Sequence, residues 1–189
     1  GRRMRAIALT TLLLTLGTAQ ADTQVVTGNP EANDCYRSTM LPFAAPETSI
    51  ASCNIALNTR RITRRERASI LVNRGIHYNH MGEYAAALED FEKALELISN
   101  FPEAYINRGN AYFYTGQVER AIADYDRAIK RRSSKRHTAY FNRGLANESR
   151  KKHDAAFADF VRAKELKPDW VLAAGRVDGA LIRDGQWWR

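Results

Sequence analysis

Asn73-Arg74-Gly75, Asn107-Arg108-Gly109 and Asn142-Arg143-Gly144 repeat one phrase at intervals of 34 and then 35 residues. The agreement widens outward from each triplet. Twelve residues after the Gly stands an Ala (Ala87, Ala121, Ala156), sixteen after it an aromatic (Phe91, Tyr125, Phe160), and three further on a second Ala (Ala94, Ala128, Ala163). Small residues at helical spacing let two helices approach closely, while bulky ones fill the space between their ridges. A period of this length therefore describes a helical hairpin. One such hairpin leaves a face unburied, so neighbours must stack to complete a core.

Further positions carry a resemblance. Counting Ala68, Pro102 and His137 as the first residue of each copy puts Leu71, Tyr105 and Tyr140 at position 4, Tyr78, Tyr112 and Asn147 at 11, and Pro168 at 32. This resembles the tetratricopeptide repeat family over about residues 68–170. The third copy departs in detail: Asn147 replaces a Tyr, and Lys151 stands where Gly82 and Gly116 make the turn. The resemblance implies an all-α fold, a right-handed α-solenoid of three hairpins at 68–101, 102–135 and 137–170 within a domain spanning 63–184.

Terminal repeats need capping. Trp170, Ala173, Ala174, Val177 and Leu181 share one side of a helix expected over 170–184, with Gly175 and Gly179 each weakening its intrinsic propensity by about 1 kcal/mol. A tail at 185–189 holds Trp187 and Trp188, which either fold back or offer an aromatic contact. Upstream, the stretch 22–62 reads as a linker and a degenerate hairpin. Its second helix runs near Glu47 to Asn58 with Ser49, Cys53 and Ala56 at positions 20, 24 and 27, and the preceding helix carries Cys35 and Tyr36. Thr63-Arg64-Arg65-Glu66 is a capping-box pattern, so the first full repeat begins a turn early.

Residues 1–21 read as a secretory signal peptide: Arg2, Arg3 and Arg5 precede an apolar run from Ile7 to Leu16, and Ala19-Gln20-Ala21 is a small-x-small cleavage site. The run is shorter than the roughly 20 residues of a membrane span. Asp22 rather than Cys follows, so no acyl attachment site is available there. Export to the periplasm, without stable membrane insertion after cleavage, is the expectation. The only cysteines, Cys35 and Cys53, lie in the degenerate hairpin, and in an oxidising compartment they are expected to pair. Loss of the leader lowers Lys+Arg from 29 to 26 against 21 Asp+Glu, so the net charge falls from +8 to +5. Basic residues cluster at Arg60 to Arg67, at Lys130 to Arg136 and at Arg150 to Lys152. The first two groups lie at junctions leading into a repeat and the third at a turn inside one. That division provides no single track for a nucleic acid. The clusters are either solvated edges or salt-sensitive contacts to an anionic envelope component.

In the family, the first helix of each pair lines the concave surface. Position 5 is Val72, Ile106 and Phe141; position 9 is Ile76, Asn110 and Leu145; position 6 is Asn73, Asn107 and Asn142. The groove reads as largely apolar, and only Asn110 fits the family's grip on a terminal carboxylate. A row of amides offers donors and acceptors at regular intervals to an extended peptide; the alternative is that these amides are simply solvated or bond within the repeat. Arg74, Arg108 and Arg143 each precede an Asp by sixteen residues (Asp90, Asp124, Asp159), which predicts a recurring bridge between helices. No G-x-S-x-G, phosphate-binding loop or H-E-x-x-H occurs, and His77 and His80 lack a third metal ligand nearby. The expected function is a scaffold without enzymatic activity, cofactor or metal, binding a protein or extended peptide on the concave face. A structural or regulatory envelope component that contacts anionic polymer or membrane through basic edges is the alternative.

Overall fold

The computed structural model describes residues 30–40, 46–131 and 133–182. The expected signal peptide at 1–21, the tail with Trp187 and Trp188, Arg132 and the side chain of Leu181 lie outside the described residues. Among those described, nine helices follow in order: α1 (Pro30–Met40), α2 (Pro46–Asn58), α3 (Arg64–Met81), α4 (Tyr84–Leu97), α5 (Pro102–Tyr114), α6 (Val118–Lys130), α7 (Arg136–Ser149), α8 (His153–Leu166) and α9 (Val171–Ile182). Consecutive helices pack on one another, and first helices also touch: α1 on α3, α3 on α5, α5 on α7. The three full hairpins are therefore α3/α4, α5/α6 and α7/α8, with α1/α2 stacked in front and α9 behind.

Local chemistry sets the helix boundaries. Thr63 caps α3 by accepting from the Glu66 amide while Glu66 accepts from the Thr63 amide, both halves of a capping box. This gives α3 18 residues where the other first helices of full hairpins have 13 and 14. Pro102 opens α5, where a missing amide costs nothing. The turns inside the hairpins need left-handed backbone: Gly82 has φ 77°, Gly116 φ 76°, and in the third hairpin Lys151 carries φ 59°. Only Gly takes that region without steric cost.

The repeated Gly and aromatic belong to one contact. A Cβ on Gly75, Gly109 or Gly144 would stand 2.6 Å from a ring carbon of Phe91, Tyr125 or Phe160 respectively. Those rings are fully buried, with the repeated alanines around them. Trp170 lies 4.8 Å from Phe141, centroid to centroid, and with Ala173 and Val177 of α9 covers the end of the third hairpin. Arg176 reaches back from α9 with a forked bond to Glu148 of α7.

In α1/α2 a disulfide takes the place of the ring. Cys35 and Cys53 are bonded, with Cα atoms 4.6 Å apart, and both are buried with Ala32, Ala56 and Ile70. Ser49, Cys53 and Ala56 are all buried, the three positions that in later hairpins hold Ala, an aromatic and Ala.

Candidate functional site

The first helices carry the residues expected to line a groove, and their burial decides what those residues can do. Asn73, Asn107 and Asn142 have 0%, 0% and 1% of their surface exposed. Val72, Ile76, Ile106, Phe141, Leu145 and Asn110 are buried as well. This corrects the expected peptide-contacting ladder: none of the nine side chains is open to an approaching chain. The reason is the close approach of successive first helices. Position 6 is buried within the stack: the Asn142 amide reaches the neighbouring first helix, while the Asn107 amide bonds within its own.

The amide bonds trace this packing. Asn79 on α3 donates to the Asn107 carbonyl on α5 (3.1 Å), and Asn142 on α7 donates to Oδ1 of Asn110 on α5 (2.8 Å). The same Oδ1 accepts from the buried Tyr125 hydroxyl at 2.9 Å. Asn107 donates to the Glu103 carbonyl one turn earlier. Buried polar groups gain their stability from such partners. Here they register one hairpin on the next. Of the two histidines, His77 is buried against α1, with its Nε2 3.1 Å from the Ser38 hydroxyl, whereas His80 is exposed.

The expected Arg-Asp bridge is present in every hairpin. Arg74 donates through Nε and Nη2 to Asp90 (2.7 and 2.6 Å), Arg108 to Asp124 (2.7 and 2.9 Å) and Arg143 to Asp159 (3.0 and 2.6 Å). Each guanidinium is half-buried and each carboxylate almost wholly so. The hydrogen bonds to Asp90 raise the Arg74 pKa; for Arg108 and Arg143, burial opposes ionisation but the carboxylates outweigh it. Two clamps also reach the preceding hairpin, Arg74 to Asn54 and Arg143 to Asp126. The Arg-Asp pair itself closes within each repeat, and the contacts to the preceding hairpin go to other residues. Arg108 lies over the rings of Tyr105 and Tyr112 at 5.5 and 5.8 Å. Where Asn147 replaces the Tyr, its amide donates to Asp159 instead.

These elements complete a family's description. The tetratricopeptide repeat profile matches residues 66–131 and, in a second form, 106–169, together more than half of the chain. The chain belongs to the tetratricopeptide repeat family. No curated protein sequence matches it. Among solved structures, MamA is similar with a TM-score of 0.64 at 21% identity, covering 85% of this chain and 87% of MamA. The first tetratricopeptide domain of Spaghetti (RPAP3), bound to the HSP90 peptide SRMEEVD, aligns with a TM-score of 0.58 at 26% identity over 64% of this chain and 95% of that domain. The OM64 domain from Arabidopsis gives 0.59 at 23% identity over 64% and 99%. Tetratricopeptide domains are interaction modules, and the all-helical stack found here is of that kind.

Besides Arg64 and Arg65 at the start of α3, an aromatic group near the C-terminal ends of the tetratricopeptide first helices stays accessible. Phe113 and Tyr114 of α5 are half-buried, Tyr114 stacks on Tyr84 of α4 at 5.7 Å, and His80 and Met81 of α3 are exposed. This aromatic end was not singled out in the sequence. The signal available was Phe113-Tyr114 at positions 12 and 13, which the family's pattern places towards the concave side. Among the described residues no group of three or more His, Cys, Asp and Glu side chains is placed to hold a metal ion, and no helix is long and apolar enough to cross a membrane.

Proposed function

We propose that the protein is a non-catalytic scaffold of the bacterial envelope that binds a protein or extended peptide on the concave side of its first helices. The observation that carries this reading is the registry of the hairpins: the same Arg-Asp clamp recurs in all three, so surface features repeat at a fixed pitch. A repeating surface suits an extended chain, whose own groups repeat along its length. The similar RPAP3 domain holds a peptide. In this chain the amides and the apolar residues at positions 5 and 9 are buried, so contact passes to the aromatic end at Phe113 and Tyr114. Tyr and Phe supply large, stiff contact surface at low entropic cost.

Envelope location is supported by the leader-like residues 1–21 and by the Cys35–Cys53 disulfide, a bond that persists in oxidising compartments. A photo-reactive amino acid at position 114 in exported protein tests the groove, with position 162 on the exposed side of α8 as the control. Specific cross-linking from 114 alone supports the reading, and equal or absent cross-linking from 114 overturns it. Export is tested separately, by whether the isolated periplasmic chain has the mass of a protein beginning at Asp22.

A further inference from the structure

We propose that the cleft between α2 and α4, with the arginines beside it, docks an acidic segment of a partner protein that inserts one apolar side chain. This names a chemistry for the partner and rests on the scaffold reading. The charges are segregated. In the body of the stack, Arg74, Arg108 and Arg143 are neutralised by Asp90, Asp124 and Asp159. At the edge where chains cross between hairpins, Arg64, Arg67 and Arg131 have no carboxylate within 4 Å among the described residues. Each is held by backbone carbonyls instead: Arg64 by that of Glu96 (3.5 Å), Arg67 by that of Leu57 (3.2 Å) and Arg131 by those of Arg127 (2.8 Å) and Ser99 (3.4 Å). A carbonyl positions a guanidinium without cancelling its charge.

These cations are also close together, although the sequence separates Arg64 from Arg131 by two helical hairpins. The carbonyls that hold them belong to residues three apart, Glu96 and Ser99, so the two anchor points are at most about 11 Å from each other. Two clusters distant in sequence thus converge on one junction. A stretch of about four extended residues spans that distance.

A cleft of about 420 Å³ is lined by Arg67 and by Glu96, the residue whose carbonyl Arg64 reaches. Leu57, Leu71 and Leu97 give it an apolar lining, and Arg67, Lys93 and Glu96 stand around it. Its volume lies in the range of about 300–1,000 Å³ typical of binding clefts. Of the charges that line the cleft, Arg74 is compensated by Asp90 and Lys93 is paired with Glu89, so the apolar lining lies beside the uncompensated Arg67 and suits a side chain projecting from an acidic peptide. A bilayer requires the converse, apolar groups that protrude. The planar guanidinium fork pairs with both oxygens of a carboxylate.

The test uses the full chain and labelled peptides followed by fluorescence anisotropy: an acidic peptide with one central Leu, the same peptide with Ser in that place, and a neutral peptide of equal length. The Leu-containing acidic peptide is expected to bind, with affinity falling as salt rises. Leu→Ser in the peptide, and Arg67→Glu or Lys93→Glu in the protein, are each expected to weaken it about tenfold. Lys93 is half-exposed, so its reversal keeps the test valid if Arg67→Glu fails to fold. Absence of saturable binding, or binding insensitive to both reversals, overturns the proposal. So does equal, equally reversal-sensitive capture by vesicles of phosphatidylglycerol, which assigns the edge to lipid. If cross-linking from position 114 survives both reversals while the acidic peptide fails to bind, the scaffold reading stands and the cleft site falls.

Discussion

Gly109 and Tyr125 occupy space that one added carbon would claim twice, since a Cβ on Gly109 would lie 2.6 Å from the Tyr125 ring. The ring is fully buried and its hydroxyl is bonded to Asn110, so it has nowhere to retreat. Gly109→Ala gains about 1 kcal/mol in helix propensity but overpacks the core at a cost of about 1–3 kcal/mol. The expected net outcome is a loss of up to about 2 kcal/mol in urea unfolding. Gly175→Ala gives the opposite sign, because an added Cβ there meets nothing within 4 Å. That variant is expected to gain up to about 1 kcal/mol.

The clamp between Arg108 and Asp124 leads to a second comparison. Asp124 also accepts from Arg127, and its carboxylate is almost fully buried. Asp124→Asn leaves a half-buried guanidinium without its counter-charge. Breaking a fully buried pair in this way costs about 3–5 kcal/mol, and the partial exposure of Arg108 places the expected loss near 2–3 kcal/mol. Glu89→Gln, which removes an exposed and solvent-screened pair with Lys93, is expected to leave stability essentially unchanged. Equal thermal shifts in the two variants would show that the repeated clamp is not a structural element.

The stacking, the clamps and the capping box at Thr63 were legible because each follows from spacing along one helix or between two adjacent ones. The disulfide was legible because Cys35 and Cys53 were the only candidates. Accessibility was not. Whether Asn73, Asn107 and Asn142 face a groove or a neighbour depends on how closely α3, α5 and α7 approach, a property of the stack that no residue within a repeat encodes alone. The convergence of Arg64 and Arg131 on one junction was hidden for the same reason. Sequence order separates them, and only the carbonyls of Glu96 and Ser99 bring them together.

His77 makes the front hairpin sensitive to acid. Burial and the neighbouring His80 lower its pKa from 6.5 to about 4, while a bond to the Cys35 backbone acts weakly the other way. The unfolded chain therefore binds the proton more readily than the native one between these values, and stability falls as pH drops from about 6.5 towards 4. At pH 4.5 the loss from this group is about 2–3 kcal/mol. His77→Gln retains a partner for Ser38 but does not titrate, so it is expected to remove that part of the loss. The check is the difference between native and variant urea midpoints at pH 7 and pH 4.5, which cancels the contribution of other acidic groups. An unchanged difference would detach His77 from the acid response.

Lys151 marks where the third hairpin gives up stability that the first two keep. Gly82 and Gly116 make the corresponding turns with φ near 77°, and Lys151 adopts φ 59° with a Cβ in the way. A left-handed conformation costs a non-glycine residue about 1–2 kcal/mol. Glycine relieves that strain but adds freedom to the unfolded chain, which takes back about 0.4–1 kcal/mol. Lys151 is exposed and forms no ion pair among the described residues. Lys151→Gly is accordingly expected to stabilise the protein by about 0.5–1 kcal/mol and to raise the midpoint of thermal unfolding by a few degrees. Gly116→Lys, which introduces the same strain at the equivalent turn, is expected to lower it. If both substitutions shift the midpoint in the same direction, turn strain is not what distinguishes the third hairpin.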